Sequence, residues 1–465
     1  MKNRITSPLL LLTLLAVLAA AAQNSFAQQK REIILRLHGS NTIGAKLAPD
    51  LAKAFLKKSG ADAVKQVDLT PGTEMDVEGF FAATGTTQVI EIRAHGSTTA
   101  FEGLKKKQCD IGMASRKIKD SEVQELASLG DMTSIDNEHV LAMDGVAVIV
   151  NTANAAVSKL KFSQVADLLS GAVKDWSAVS WGNGEVNIHA RDENSGTHDT
   201  IKGIVLDKKK ISAAAKRWES NEMLSDAVNA DEKAFGYCGM PYVKGNKALE
   251  ISDGGLYVQP SALTVGTEDY PLSRRLYLYT PTVQKNRHAQ SFVEFALNSE
   301  GQALVGQHKF VPLTVSAGEH KVMLTRGVNE NFKTLYKYMV AVREAKRLSA
   351  NFRFKGESLE LDNKALRDVK RMAAFLADTK AKQIILTGFS DRKEDAARAA
   401  EGSFDSNYGK SLELSCQRAE AVKEALSARG IKVTDLLCLG SEMPIASNAT
   451  EAGREKNRRV EVWIR

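Results

Sequence analysis

Apolar residues alternate with polar ones at Ile33, Leu35 and Leu37, then change to helical spacing at Leu47, Leu51, Ala54 and Phe55. The pattern predicts a strand running into a helix through the turn Gly39-Ser40-Asn41-Thr42-Ile43-Gly44. Pro49 suits that helix only in its first turn, where a missing N–H breaks no bond. The same punctuation recurs along the chain. Val89 to Arg93 reads as a strand and leads into Gly96-Ser97-Thr98-Thr99-Ala100-Phe101, again ahead of a helix. A short apolar run ends in Asp110-Ile111-Gly112-Met113-Ala114-Ser115-Arg116. The strand-like Val186 to Ala190 precedes Arg191-Asp192-Glu193-Asn194-Ser195-Gly196-Thr197, after which Ile201, Ile204 and Val205 take helical spacing. The unbroken run Val146-Ala147-Val148-Ile149-Val150 predicts a central strand buried on both faces. Residues 60 to 88, polar and rich in Gly and Thr, read as a long surface excursion. Repeated strand, turn and helix predict an open α/β sheet whose ligands sit beyond the strands' carboxyl ends.

Further on, Phe235 to Tyr242 reads as a glycine-bearing strand, and Pro271-Leu272-Ser273-Arg274-Arg275-Leu276-Tyr277 leads into another. Gln290 to Leu304 has helical periodicity. The pattern fades over 314 to 326, and Phe332, Leu335, Met339 and Val342 then form a helical stripe, which sets a domain boundary. Beyond it, Leu366, Val369, Ala373 and Leu376 stripe one helix, and Leu414, Ala421, Val422 and Ala425 another. Strands are expected at Gln383 to Thr387 and at Val460, Val462 and Ile464, which makes a compact α+β sandwich. At the other end, Lys2 and Arg4, the apolar Leu9 to Ala22 and the small-residue end Ser25-Phe26-Ala27 have the form of a cleaved export signal. No cysteine lies near the cut, so the mature chain is expected to be exported and soluble. The segmentation expected is a signal peptide over 1–27, a two-lobed domain over 28–318, a linker helix over 319–344 and a small domain over 345–465.

A chain of 465 residues with 43% hydrophobic content can bury more than one core. The net charge of +7 invites a nucleic-acid reading. The bases are mixed with acids, however, and the Lys triplets at 105–107 and 208–210 have no interleaved aromatics. Solvated surface with a mild attraction for anions is the better reading, with no nucleic-acid partner. The eight histidines show no ligand spacing, so neither metal nor cofactor is expected. For Cys109, Cys238, Cys416 and Cys438, bridges 109–238 and 416–438 and free buried thiols both remain open.

The candidate chemistry gathers in the hydroxyl-rich turns. Gly196 has no Cβ, so the backbone there can approach a ligand closely. The first amides of a helix have no intrahelical partners and carry the positive end of its dipole. A tetrahedral oxyanion would accept bonds from those amides and from Ser195 and Thr197, with Arg191 adding a charged fork. Ser-Gly-Thr is also an ordinary capping sequence; recurrence of such turns at Ser40 and Ser97 favours the anion. Gly39 and Gly44 have P-loop spacing, but Ala45 stands where lysine is needed, which excludes a nucleoside triphosphate. Ser195 and His198 form no hydrolase pair, because three residues apart at a helix start is poor triad geometry. His198 is expected to be exposed.

Taken in order, the turns at 39–42, 96–99, 110–116, Asp144-Gly145-Val146-Ala147 and 191–197 resemble the PstS-like class of periplasmic phosphate-binding proteins, over roughly residues 33 to 312. The resemblance implies a type II-like periplasmic binding fold, two α/β lobes joined by crossover strands and closing on a dehydrated phosphate. It puts Ser40, Asn41 and Thr42 on one side, Ser195, Gly196 and Thr197 on the other, and Arg191 as counter-charge. Ser97, Ser115, Arg116 and Asp144, in the adjoining turns, are expected to complete the phosphate-binding set. Many members carry an Asp where this chain has Arg116, and that carboxylate accepts the proton of hydrogen phosphate, which sulfate lacks. Asp144 is the candidate to replace that acceptor; a plain turn residue is the equal alternative.

Residues 345 to 465 resemble the OmpA-like peptidoglycan-binding domain. The likeness rests on Thr387-Gly388-Phe389-Ser390-Asp391, Leu414-Ser415-Cys416-Gln417-Arg418-Ala419, Pro444-Ile445-Ala446-Ser447-Asn448 and the run Gly453 to Val460. It implies that Asp391 takes the ammonium and Arg418 the carboxylate of the diaminopimelate in a peptide stem, with Arg458 in support. Phe389 replaces the usual His or Tyr, Ser411 stands where Asn is common, and the loop from 392 to 410 is longer than usual. Together the two resemblances imply a non-enzymatic phosphate receptor of the periplasm and cell envelope, held to peptidoglycan, with an ABC permease as the family's usual partner. The alternative is a wall-associated structural or adhesin-type protein with a general oxyanion module. A phosphate-ester hydrolase is disfavoured, since no nucleophile–base pair or metal set is present.

Overall fold

The computed structural model describes residues 30–179, 183–254, 256–283, 286–319, 332–356, 358–379, 381–392 and 404–465. The signal-peptide expectation for 1–27 and most of the long loop after Arg392 lie outside them.

Strand β1 (Lys30–Gly39) leads through the turn Asn41–Gly44 into α1 (Leu47–Lys58), where Pro49 sits in the first turn. Residues 60 to 88 are not a loose excursion. They form β2 (Ala63–Thr70) and β3 (Glu74–Phe81), an antiparallel pair that extends the sheet through β4 (Thr86–Arg93). Their core residues Met75 and Val77 alternate on one face, a signal diluted in sequence by the Gly and Thr around it. Helix α2 (Ser97–Lys105) follows, then the short β5 (Ile111–Ala114), parallel to β1.

The long strand β6 (Glu138–Val150) joins the lobes. Further along come β7 (Asn187–Arg191), α3 (Gly196–Ile201), α4 (Asn221–Asn229), β8 (Ala234–Gly239) and β9 (Ser273–Tyr279). The register of β6 changes partner midway: up to Gly145 it pairs with β9, and from Val146 onward with β8. Lobe one is built on β2-β3-β4-β1-β5-β9 and lobe two on β8, β7 and Lys216–Trp218, in one continuous 11-stranded sheet. Val146, Val148 and Val150 pack into one apolar cluster and Ala147 and Ile149 into another, all at 0% exposure. The predicted central strand is thus covered on both faces, as its uninterrupted apolar run requires.

The C-terminal unit contains α5 (Phe332–Val342), β10 (Lys346–Leu348), α6 (Asn363–Asp378), β11 (Ile384–Gly388), α7 (Phe404–Ser427), β12 (Asp435–Cys438), α8 (Glu451–Asn457) and β13 (Arg459–Ile464). Its sheet runs β10-β13-β11-β12, with Ala317–Gly318 added at the edge beside β10. Leu335, Tyr338 and Val342 face Phe389 and Trp463, while Met339 is exposed. Helix α6 buries Ala365, Val369, Met372 and Leu376, and Leu366 is 42% exposed, so the sequence stripe was out of phase at its first residue. A Cβ on Gly388 would come within 2.0 Å of the Ser415 carbonyl, and this lets β11 lie directly against α7. Cys416 and Cys438 form a disulfide that ties α7 to β12. Cys109 and Cys238 do not pair: they belong to separate clusters of the two-lobed body, and burial pushes each thiol up to about 12.

Candidate functional site

The hydroxyl turns converge on one buried cradle at the junction of the lobes. From lobe one, Gly39 (φ 132°) turns the chain so that Ser40 N–H donates to the Met113 carbonyl at 2.8 Å. Thr42 Oγ1 then lies 3.4 Å from Thr197 Oγ1 of lobe two. Ser97 Oγ accepts from Ser115 N–H at 2.9 Å and lies 3.2 Å from Ser115 Oγ. Gly196 presses onto this pair: a Cβ there would stand 2.3 Å from Ser97 Oγ and 2.5 Å from Ser115 Oγ. Any Cβ there would have to displace both hydroxyls. Ser195 Oγ caps α3 by accepting from the amides of Thr197 at 3.2 Å and His198 at 3.3 Å.

The centre of the cradle is a residue the turn motifs did not reveal. Arg274, second in β9, sends Nε and Nη2 to Asp144 Oδ2 at 3.0 and 2.7 Å, Nη1 to Thr197 Oγ1 at 2.8 Å and Nη2 to Thr42 Oγ1 at 3.3 Å. It therefore touches both lobes. Asp144 is fully buried, and its Oδ1 accepts from Met240 N–H at 3.2 Å. Burial pushes its carboxyl pKa up, against the pull of Arg274. Asn221, also missed in the sequence, gives Nδ2 to Thr42 Oγ1 at 3.2 Å and to Asn41 Oδ1 at 3.4 Å. The only sequence signal for Arg274 was a charged pair at the start of an otherwise apolar strand.

Arg191 is buried, with Nε on the Trp218 carbonyl at 3.1 Å and Nη2 on that of Glu219. Its Nη1 and Ser40 Oγ are buried without a hydrogen-bond partner among the described residues. Such unmet donors are costly in a closed interior unless a ligand meets them. Two guanidinium groups, Arg274 and Arg191, stand against the single carboxylate of Asp144, so the charge balance suits an anion.

Two sequence expectations are corrected. Arg116 does not face the cradle: it is bidentate to Glu122 at 2.7 and 2.6 Å, and Nε bonds Asp199 of lobe two at 2.6 Å. Every nitrogen of the guanidinium is engaged, and with Phe101 under it at 4.9 Å it serves as an ion-paired latch across the seam. His198 is buried, not exposed, with Nδ1 3.3 Å from the Tyr237 hydroxyl.

In the C-terminal domain Asp391, Arg418 and Arg458 are all buried. Arg458 bridges Asp391 and Glu451, each at 2.6 Å. Arg418 Nη1 reaches the Phe389 carbonyl at 3.5 Å, which places it beside the Asp391 turn. Phe389 lies 3.6 Å beneath the Arg459 guanidinium and is a core residue of the domain. Ser411 Oγ bonds Ser390 Oγ at 2.5 Å, so the hydroxyl braces this turn from α7.

Comparison with known proteins gives two family matches, a PBP superfamily domain over residues 53–300 and the OmpA family over residues 353–458. The phosphate-binding protein PstS of Staphylococcus epidermidis is 32% identical over 217 residues, covering 45% of this chain and 65% of that protein. The chain thus spans just under two thirds of that relative. The PstS of Staphylococcus saprophyticus is 30% identical over 232 residues, covering 48% and 71%. Among solved structures, a putative phosphate ABC transporter substrate-binding protein with bound phosphate, from Clostridium perfringens, gives a TM-score of 0.48 at 22% identity, over 60% of this chain and 99% of that one.

Proposed function

The chain belongs to the PBP superfamily, with PstS as its curated relatives, and carries an OmpA-family domain; from that premise we propose that it is a non-enzymatic receptor for inorganic phosphate in the cell envelope, held to peptidoglycan by its C-terminal domain. The observation that carries the reading is the enclosed cradle, where Arg274 spans Thr42 of one lobe and Thr197 of the other. Thr42, Asp144 and Thr197 are at most 1% exposed, so a ligand held among them would be enclosed by both lobes, which suits a small ion without a tail. Bonds to a charged group contribute about 1.5–3 kcal/mol each, and about half a dozen give roughly 9–18 kcal/mol before association costs. Micromolar affinity needs about 8 kcal/mol net, which the upper part of that range supplies after association costs of several kcal/mol. Asp144 takes the acceptor role that an Asp at position 116 would play and Arg116 cannot: a protonated oxygen of phosphate can donate to it, whereas every oxygen of sulfate is repelled.

Catalysis is not supported, because Ser195 Oγ is held as a helix cap and His198 faces Tyr237 instead of the serine. In the wall-binding half, the anionic Asp391 with Arg418 and Arg458 suits the zwitterionic end of diaminopimelate. Delivery to an ABC permease completes the receptor reading. Labelled phosphate added to the protein on isolated sacculi tests both halves together. Wild type retains protein and label; Arg191→Ala retains protein and loses label. Retention of the label by that variant removes Arg191 from the site, and absence of label from wild type removes the phosphate reading.

A further inference from the structure

Both neighbours of Arg274 are gripped by the C-terminal domain. On one side, Lys456 Nζ of α8 donates to Ser273 Oγ at 3.3 Å and to the carbonyls of Tyr270 and Pro271 at 3.2 and 2.6 Å. On the other, Arg275 gives Nη1 to Asp362 Oδ2 at 2.7 Å and Nε to Glu268 Oε1 at 2.7 Å. The same loop is held a third time. Arg353 donates to Glu268 at 2.8 Å and to the Thr267 carbonyl at 3.0 Å, and Asn351 meets that carbonyl at 2.7 Å. Thus residues 267–275, which carry the chain back into lobe one, take their placement from Asn351, Arg353, Asp362 and Lys456.

The route from these contacts to the cradle is short. Ser273 pairs with Gly145 and Arg274 with Asp144, so sliding or tilting the start of β9 moves the guanidinium directly. Arg274 serves Asp144, Thr197 and Thr42 at 2.7 to 3.3 Å. Hydrogen bonds of that kind weaken steeply with misplacement, and about 1 Å of error in a positioned group can cost up to a hundredfold. We propose that Lys456 and Asp362 are positioning residues for the anion site: the domain that meets the wall sets the arginine that meets the anion. The proposal rests on the phosphate-receptor reading above.

The test compares Lys456→Met, Asp362→Asn and the double variant with wild type, each as the full chain. Asp362→Asn keeps an oxygen for the Ala365 amide that caps α6 and removes only the charge facing Arg275. Phosphate affinity by calorimetry is expected to fall about tenfold in each single variant and further in the double. Lys456→Arg restores most of the loss, and retention on sacculi stays at the wild-type level. A folded double variant within twofold of wild-type affinity overturns the proposal. If the double variant does not fold, Asp362→Asn alone decides by the same criterion. If wild type itself fails to bind phosphate, the receptor reading falls, and amide exchange over residues 273–279 decides the positioning. Faster exchange in Lys456→Met supports it, and unchanged exchange overturns it.

Discussion

Arg274→Met removes a side chain of similar length from the middle of the cradle and leaves Asp144 at 0% exposure with its counter-charge gone. Four contacts are lost, two to Asp144 and one each to Thr197 and Thr42. Breaking one partner of a buried pair costs about 3–5 kcal/mol, chiefly because the remaining charge is uncompensated. Urea denaturation, followed by a signal from the two-lobed domain, should show a loss of that size at pH 7.5. The loss should shrink on acidification. Burial already raises the Asp144 pKa, and without Arg274 it rises further above the unfolded value. The folded variant then binds more protons than the unfolded chain, so its stability falls as pH rises through the folded pKa and is fullest below the unfolded one. Arg274→Met with Asp144→Asn should recover most of the stability, as a coupled pair must, yet neither variant should bind phosphate. Arg274→Met with wild-type stability, or a double variant no better than the single, would refute the argument that these two residues are one buried unit.

Three further outcomes follow from other contacts. Reducing the disulfide, or Cys416→Ser with Cys438→Ser, opens a loop of sequence separation 22 and should cost about 3 kcal/mol in unfolding of the C-terminal domain, with phosphate affinity unchanged. His95 bonds Glu74 of lobe one and Glu219 of lobe two, both at 2.9 Å, and although burial opposes it the two carboxylates raise its pKa. Its contribution is therefore full below the unfolded pKa and lost as pH rises through the raised value; the melting temperature of wild type minus that of His95→Gln should shrink over that interval, and a constant difference would contradict the pairing. Asp391→Ala and Arg418→Ala should each release the protein from sacculi in a pull-down while phosphate affinity stays as in wild type; retention with both changed means the wall pocket has been misassigned.

The parts of this molecule legible in the sequence are those set by local order. Ser40, Ser97, Ser115 and Ser195 stand where strands end, and the alternation of strand, turn and helix was enough to bring them to one edge of a sheet. Arg274 was not legible because its meaning comes from pairing with Asp144, 130 residues away, across two antiparallel strands. Arg116 occupies the expected place in the chain, but Glu122 and Asp199 offered its guanidinium three charge-assisted bonds outside the cradle. His198 falls inside because the start of α3 is packed against Tyr237, a tertiary fact with no local signature. The strands β2 and β3 were hidden by polar residues that serve ion pairs, such as Asp76 with Arg31 and Arg93, on an edge with only a few apolar anchors. In α6 the stripe holds at Val369, Ala373 and Leu376 and fails only at its first residue, where Ala365 takes the buried position and Leu366 is exposed.

The most direct test of the central claim is titration calorimetry of the mature protein, freed of ligand by unfolding and refolding, against phosphate and then sulfate. The enclosed cradle with Asp144 as acceptor predicts phosphate binding at about micromolar affinity or tighter, near 8 kcal/mol, with little response to sulfate. Equal binding of the two ions, or binding of neither, would contradict it.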